Sequence, residues 1–344
     1  MKTVKLAAIH AKYLEYSTAA NSYGDCFTED AAFAHVRANV DMTIGWMVEA
    51  GKNKVDLVCT NEDFTTAGTY GRCFDYPGLS INLSKQIEPE AAEKISAVAK
   101  EYGIYIAANF YRFDRDVMYN TTTLFGRDGN EVGRYRKVHL ADAERPFAAP
   151  GDDFPVFETD FGNVGISICY DMIFPETYRC LTLNGADIIV LQTQGWGAQG
   201  NSWDIPYSGE AMMKVRAIEN GVYMVVAKNL FGEGGKSLIL DNSGNTLAEA
   251  PGLEEQLLIA EFEPDYEMYD PYNYDNYFGN VHGTKARQLL GRMPGIYGVM
   301  TEMKPPIVAS RWAGEKLCED LAEHEAQVRQ LEDLSKEELA KYHW

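Results

Sequence analysis

Positive charge is scarce in this 344-residue sequence. Lys and Arg number 31 against 51 Asp and Glu, a formal net charge of −20. Binding a phosphate backbone takes stripes of Lys and Arg, so the balance argues against a nucleic-acid partner, and equally against docking on an anionic membrane. Cysteine is also sparse. Cys26, Cys59, Cys73, Cys169, Cys180 and Cys318 form no CxxC pair and match neither a disulfide scaffold nor a zinc ribbon. Reduced thiols and a cytoplasmic location are the simplest expectation. The six histidines, His10, His35, His139, His282, His324 and His343, lack ligand spacing, so neither a metal nor another cofactor is expected. No glycine-rich phosphate loop follows a strand. No window of about 18 uncharged apolar residues offers a transmembrane span. Lys5 and His10 interrupt the short apolar run of residues 1–11, so we expect no signal peptide.

What is present is ordinary globular material, 46% hydrophobic and 24% charged, arranged as alternating strands and helices. Residues 4–11 read as a buried strand. Ala32, Val36, Val40, Ile44, Met47 and Val48 then recur at helical spacing, with Gly51 as a stop. Residues 55–60 are a second strand. Pro89 reads as the first residue of a helix carrying Ile95, Val98, Ala99 and Tyr102, and Gly103 ends it. Residues 104–110 form a third strand, and Asp128-Gly129 turns a hairpin between 117–125 and 131–138. The second half repeats the order: strand 164–169, a helix from Pro175 to Asn184-Gly185, strand 186–193, a helix marked by Met212, Val215 and Ile218 and closed by Gly221, strand 222–228, and a hairpin around Ser243-Gly244.

The halves also match as text. EYGIYIAANFYRF (101–113) parallels ENGVYMVVAKNLF (219–231), LFGRDGNEVG (124–133) parallels ILDNSGNTLA (239–248), and KVDLVCTNE (54–62) parallels GADIIVLQT (185–193). We read one β-α-β-α-β-hairpin unit used twice. The expected class is α/β: two sheets face to face with helices outside, a four-layer α-β-β-α sandwich built from an internal repeat. The expected division is a catalytic domain over 1–264 and a C-terminal extension over 265–344. The extension begins with a loop bearing Tyr266, Tyr269, Tyr272, Tyr274 and Tyr277. Leu317, Leu321, His324, Val328 and Leu331 then step as an amphipathic helix, and Ser335 and Glu338 suggest a capping box for a short last one. The extension packs on the body or on a partner subunit.

Strand ends are where chemistry could sit. Cys169 ends an apolar strand a few residues before a helix, on a sharp turn whose backbone N–H groups can receive an oxyanion; a lone cysteine is otherwise a small buried hydrophobe. No histidine has a local signature linking it to Cys169, and His139 reads as structural. Glu62 follows the second strand, as a solvated loop acid or a proton carrier. Lys137, just past the hairpin, would by itself be a surface lysine.

Taken together, TNEDF around Glu62, GRYRKVHL around Lys137 and VGISICYDMIFPE around Cys169 resemble, in the right order, the three signatures of the nitrilase superfamily of carbon–nitrogen hydrolases. Supporting text over 120–140, 150–171, 215–229, 238–250 and 287–298 is similar as well, and the resemblance spans residues 4–298. It implies a four-layer sandwich and a homo-oligomer, a dimer or higher. Carried over, Cys169 is the nucleophile, Glu62 the general base and Lys137 the cation beside the tetrahedral intermediate. Glu144, in ADAERPF, would orient Lys137 or the substrate, and the backbone N–H of Tyr170 would help hold the oxyanion. One departure is Asn61 where the first signature has proline. Asp63 follows Glu62, strand alternation lets only one of the two face the site, and the motif selects Glu62.

For substrate, CYD after the nucleophile differs from the CWE of true nitrilases, which favours amides over nitriles. TQGWGAQGNSW (193–203) supplies Gln194, Trp196, Gln199, Asn201 and Trp203 beside the site, with Gln194 and Trp196 as candidate substrate contacts. The expected function is cofactor-independent hydrolysis of a small linear amide or N-carbamoyl compound through a thioester, releasing ammonia. Alternatives are nitrile hydrolysis and a catalytically silent interaction protein of the same fold. The acid excess suggests a bias toward cationic or neutral substrates.

Overall fold

The computed structural model describes residues 3–14, 28–74, 76–195, 208–230, 236–250, 252–267, 285 and 289–301. Sheet A has the order β12-β1-β2-β3-β4-β5, built from β1 (Val4–His10), β2 (Leu57–Cys59), β3 (Tyr105–Asp114), β4 (Val117–Phe125), β5 (Glu131–Arg136) and β12 (Gln256–Phe262). Sheet B has the order β11-β10-β9-β8-β7-β6, from β6 (Val156–Thr159), β7 (Gly162–Ile168), β8 (Ile188–Thr193), β9 (Tyr223–Lys228), β10 (Ser237–Leu240) and β11 (Thr246–Ala250). The strands succeed one another in the same way in both sheets. Each sheet then gains one antiparallel outer strand, β12 beside β1 and β6 beside β7.

Four layers follow from strand alternation. In β1, Val4, Leu6 and Ala8 face sheet B, while Ala7 and Ile9 face the helices α1 (Glu29–Lys52) and α3 (Pro77–Tyr102). On the other side, Ile189, Leu191, Met224 and Val226 pack on Tyr178 and Leu181 of α4 (Pro175–Leu183) and on Met213 and Ala217 of α5 (Ser208–Asn220). Both faces of both sheets are covered, which is why the central strands read as continuous apolar runs. A short helix, α2 (Thr69–Phe74), precedes α3. No helix among the described residues is long and apolar enough to cross a membrane.

The repeat extends to hydrogen bonds. The carboxylate of Asp56 takes Lys5 N–H at 2.9 Å, and its carbonyl takes Tyr105 N–H. Asp187 does the same with Asn163 N–H at 3.0 Å and Tyr223 N–H. Gly129 (φ +82°) and Gly244 (φ +79°) turn the two hairpins with the same left-handed backbone, which glycine adopts without a Cβ penalty.

Three details differ from the sequence reading. Pro89 lies inside α3, not at its start. Pro77 is the first-turn proline, and Leu83, Ile87, Ala91 and Ile95 form one buried stripe past Pro89, whose exposed position keeps its ring off the core. In α5 the buried face is Met213, Arg216, Ala217 and Asn220, whereas Val215 and Ile218 are about half exposed. Strands β6 and β12 went unread because they are outer strands that alternate weakly. The tyrosines from Tyr269 to Tyr277, the helix carrying Leu317 to Leu331, and the Ser335–Glu338 capping pattern lie outside the described residues.

Candidate active site

The chain brings Glu62, Lys137, Glu144 and Cys169 to one rim of the sandwich, where β2, β5 and β7 end. Glu62 stands in a tight turn after β2. That turn holds Asp63 (φ +46°) and Thr66 (φ +64°) in the left-handed region, costly for a β-branched residue. The turn is fixed from outside. Asp63 N–H donates to Asn109 Oδ1 at 2.5 Å, Thr65 Oγ1 donates to Asp63 Oδ1 at 3.0 Å, and the Tyr13 hydroxyl donates to the Glu62 carbonyl. Because Glu62 and Asp63 lie in this turn and not in a strand, turn geometry decides which of them faces the site, in place of the alternation expected from sequence. Glu62 is the one in the cluster.

The cluster is dry and dense. Lys137, Glu62 and Glu144 have fully buried side chains, and Lys137 Nζ lies 3.0 Å from Glu62 Oε1 and 2.5 Å from Glu144 Oε2. Asn120, buried on β4, donates through one amide nitrogen to both carboxylates, at 2.9 Å to Glu62 Oε1 and 2.7 Å to Glu144 Oε1. Asn109 holds that amide in orientation by donating to Asn120 Oδ1 at 2.9 Å. The Tyr111 hydroxyl (2.7 Å) and Ala141 N–H (3.1 Å) also donate to the Glu144 carboxylate. Burial by itself would lower the proton affinity of Lys137, but Glu144 and Glu62, with Cys169 beyond them, hold it above the ordinary lysine value.

Cys169 opens a single 3₁₀ turn (Cys169–Ile173) between β7 and α4, at φ +45°. The strain is locked by Asp171, whose carboxylate accepts Ile168 N–H (2.9 Å), Tyr135 hydroxyl (2.7 Å), His139 N–H (3.0 Å) and His139 Nδ1 (2.8 Å). The same carboxylate thus ties the cysteine turn to the segment just after Lys137. His139, stacked on Phe174 at 3.8 Å, is part of this brace. Cys169 is half-buried, and Thr193 at the end of the neighbouring strand β8 lies beside it. Desolvation and the nearby Glu62 push its thiol up to about 12, against the downward pull of Lys137. Burial thus keeps the Cys169 thiol in its protonated form, beside the Lys137–Glu62 ion pair.

Tyr170 is the second residue of the 3₁₀ turn, with its ring edge-on to Phe174. Gln194 N–H donates to Glu62 Oε2 at 3.1 Å, so this residue touches the carboxylate itself. Trp196, Gln199, Asn201 and Trp203 lie outside the described residues. Sequence reading missed Asn120, Asn109, Tyr111 and Thr193. The available signal was a polar run, Asn120-Thr121-Thr122-Thr123, inside a strand whose residues are all buried. Gln192 was missed too. Its amide nitrogen donates at 3.0 Å to Thr60 and to the Ala107 carbonyl, and its oxygen accepts from Thr122 at 2.5 Å, pinning sheet B to sheet A beneath the site.

A model of the carbon-nitrogen hydrolase family matches residues 3–268. The chain belongs to this family. Among carbon-nitrogen hydrolases of the nitrilase superfamily, it is 36% identical over 222 residues to a protein named nitrilase from Pyrococcus abyssi, covering 62% of this chain and 79% of that one. It is 30% identical over 244 residues to the omega-amidase NIT2 of Xenopus tropicalis, covering 66% and 84%. In fold it is similar to a carbon-nitrogen hydrolase from Helicobacter pylori (TM-score 0.60, 21% identity, 75% and 88% covered). It is likewise similar to a variant of the amidase from Nesterenkonia sp. AN1 with acrylamide added at its active-site cysteine (TM-score 0.58, 21% identity, 77% and 95% covered).

Proposed function

We propose that this carbon-nitrogen hydrolase cleaves the C–N bond of a small linear amide or N-carbamoyl compound through a thioester on Cys169. The observation that carries the reading is the buried Glu62–Lys137–Glu144 cluster set against the strained Cys169 turn. Glu62 takes the thiol proton as Sγ attacks the carbonyl carbon. Lys137 and the Tyr170 N–H stabilise the oxyanion. Glu62 then gives the proton to the departing nitrogen, and ammonia leaves as the thioester forms. Glu62 next deprotonates a water, which attacks the thioester; the acid departs and the thiol regains its proton. Glu144 and Asn120 keep Lys137 and Glu62 in register throughout, and Gln194 holds the second oxygen of Glu62. The amidase and omega-amidase names among the similar proteins support amide substrates.

An ammonia-release screen across small amides and carbamoyl compounds tests this, with Cys169→Ala as control. Turnover in the wild type alone, with an acyl mass adduct on Cys169 from a slow substrate, is the expected result. Ammonia release by the Cys169→Ala variant would remove Cys169 from the mechanism. The similarity to a protein named nitrilase favours a second reading, nitrile hydrolysis, and assays of nitriles against matched amides separate the two. A cytoplasmic homo-oligomer belongs to the same reading; sedimentation of the intact chain as a monomer would strike out the oligomer.

A further inference from the structure

Along the buried face of α1, Ala32, Val36, Val40 and Met47 pack into the outer core, yet Asn39 stands among them fully buried. A leucine or methionine would suit both helix and core better, and burying an amide is costly unless its polar atoms are bonded. The bonds of Asn39 go to two segments outside the helix. Its Oδ1 accepts Leu14 N–H at 2.8 Å, and its Nδ2 donates to Thr66 Oγ1 at 3.0 Å and to the His35 carbonyl at 3.3 Å. His35, one turn earlier on α1, bonds the Leu14 carbonyl through Nε2 at 2.9 Å. Leu14 is thus gripped by α1 at both of its backbone groups.

Both segments bear on the Glu62 turn. Thr66 lies at φ +64°, a conformation that a β-branched residue holds only when its surroundings impose it. Its N–H donates to the Asp63 carbonyl at 2.8 Å, and the bond from Asn39 fixes its side chain. On the other side, residues 11–14 leave β1 and are tied to the same turn. Asn61 Nδ2 donates to the Ala11 carbonyl at 2.9 Å, and the Tyr13 hydroxyl donates to the Glu62 carbonyl. Asn61 stands where the first signature has proline, and proline has no such donor. One amide on α1 therefore reaches Glu62 by two routes, through Thr66 and Asp63 and through Leu14 and Tyr13. The backbone of Glu62 is set from α1, while its carboxylate is held by Lys137, Asn120 and Gln194.

We propose that Asn39 is a positioning residue for Glu62: it joins the strained turn to the segment after β1, so that the carboxylate stays against Lys137 and in line for the Cys169 proton. The inference rests on the general-base reading of Glu62 above.

Alkylation of Cys169 by iodoacetamide reads this directly, because a thiol must lose its proton to react. Peptide mass separates Cys169 from the other five cysteines. Rates are measured in wild type, Asn39→Leu, Glu62→Gln, the two substitutions combined, and Val40→Ala as a control on the same buried face. We expect Asn39→Leu to slow alkylation by about 10- to 100-fold, the cost of misplacing a reacting group by about 1 Å, through the maximal rate and not the half-saturating concentration. Glu62→Gln should slow it at least as much. In the Glu62→Gln background, adding Asn39→Leu should change the rate by less than about 2-fold, because a residue that acts through Glu62 then has nothing left to position. Val40→Ala should lower the thermal midpoint by leaving a cavity, yet keep alkylation within about 2-fold of wild type. A wild-type rate in Asn39→Leu, an additive loss in the combined variant, or equal slowing by Val40→Ala overturns the assignment. Should Asn39→Leu not fold, Tyr13→Phe, which removes one hydroxyl from the same linkage, replaces it in both backgrounds under the same criteria. If Glu62→Gln reacts as fast as wild type, the general-base reading falls and this inference with it. If Glu62→Gln is slow and Asn39→Leu is not, the role of Asn39 alone is lost.

Discussion

The amino-terminal and carboxyl-terminal rims of the two sheets have opposite histories. At the amino rim the halves still do the same thing: Asp56 and Asp187 accept the same pair of backbone N–H groups from the strands on either side. At the carboxyl rim they have diverged at every position that matters. By the repeat, Glu62 corresponds to Thr193 and Phe110 to Lys228, and by strand register Ala11 of the first sheet corresponds to Cys169 of the second. One half presents the carboxylates and Lys137, and the other presents the thiol, Thr193 and Gln194. The proposed site sits where the copies differ, and the shared frame sits where they agree.

The largest expected effect breaks that division outright. Cys169→Ala should lower kcat by about 10⁴-fold or more, and Glu62→Gln by about 10²- to 10⁴-fold, measured as ammonia release with the fold checked by circular dichroism. Retention of rate in either variant would mean the two halves do not share the work as described.

Two buried lysines, Lys137 and Lys228 at the end of β9, sharpen the contrast next. Lys137→Met leaves Glu62 and Glu144 without their cation and should cost about 3–5 kcal/mol in urea unfolding. Lys228→Met should cost little at neutral pH or even stabilise. Burial lowers the pKa of Lys228 from 10.5 to about 8, so between those values the unfolded chain binds more protons than the folded one. The penalty is therefore full below about pH 8 and fades as pH rises toward 10.5. Wild type should gain stability relative to Lys228→Met, by an amount of order 3 kcal/mol, between pH 7 and 10.5. A flat difference would show that the ammonium is not desolvated.

At the amino rim, Asp56→Ala and Asp187→Ala should each cost about 1–3 kcal/mol, and by similar amounts. Markedly unequal losses would break the equivalence of the two aspartates. The smallest effects belong to α5. Val215→Ser and Ile218→Ser should stay within about 0.5 kcal/mol, while Met213→Ala on the buried face should cost about 2–5 kcal/mol.

Much of this frame was legible in the chain. The paired hairpins, Gly103, Gly221 and Pro175 announce their own local geometry, and continuous apolar runs can only be strands covered on both faces. Longer-range facts left weaker marks. Pro89 carries the same local signal as Pro77, and only the stripe back to Leu83 distinguishes a tolerated interior proline from a helix start. Val215 and Ile218 have helical spacing, but so do Met213 and Ala217, and hydrophobicity alone does not say which row the sheet covers. Glu62, Lys137 and Cys169 were found through motif text, since each by itself has a commoner structural explanation. Asn120 and Gln192 were not found, because a buried amide's value lies in partners far away in sequence: Asn120 meets Glu62 and Glu144, and Gln192 meets Thr60, Ala107 and Thr122.

The pairing of β1 with β12 sets a timetable for synthesis. His10 aligns with Gln256 and Val4 with Phe262, so β1 leaves the ribosome about 250 residues before the strand it pairs with and must wait for it. At about 5–20 residues per second that wait is tens of seconds. Throughout it, one edge of the N-terminal sheet stays open, with unpaired backbone groups flanked by Leu6, Ala7, Ala8 and Ile9, the kind of edge on which nascent chains join one another. Cellular yield of this protein should thus depend on how the growing chain is chaperoned, and a shortened chain lacking β12 should aggregate even though every residue of the Glu62–Lys137–Glu144 cluster and Cys169 is present.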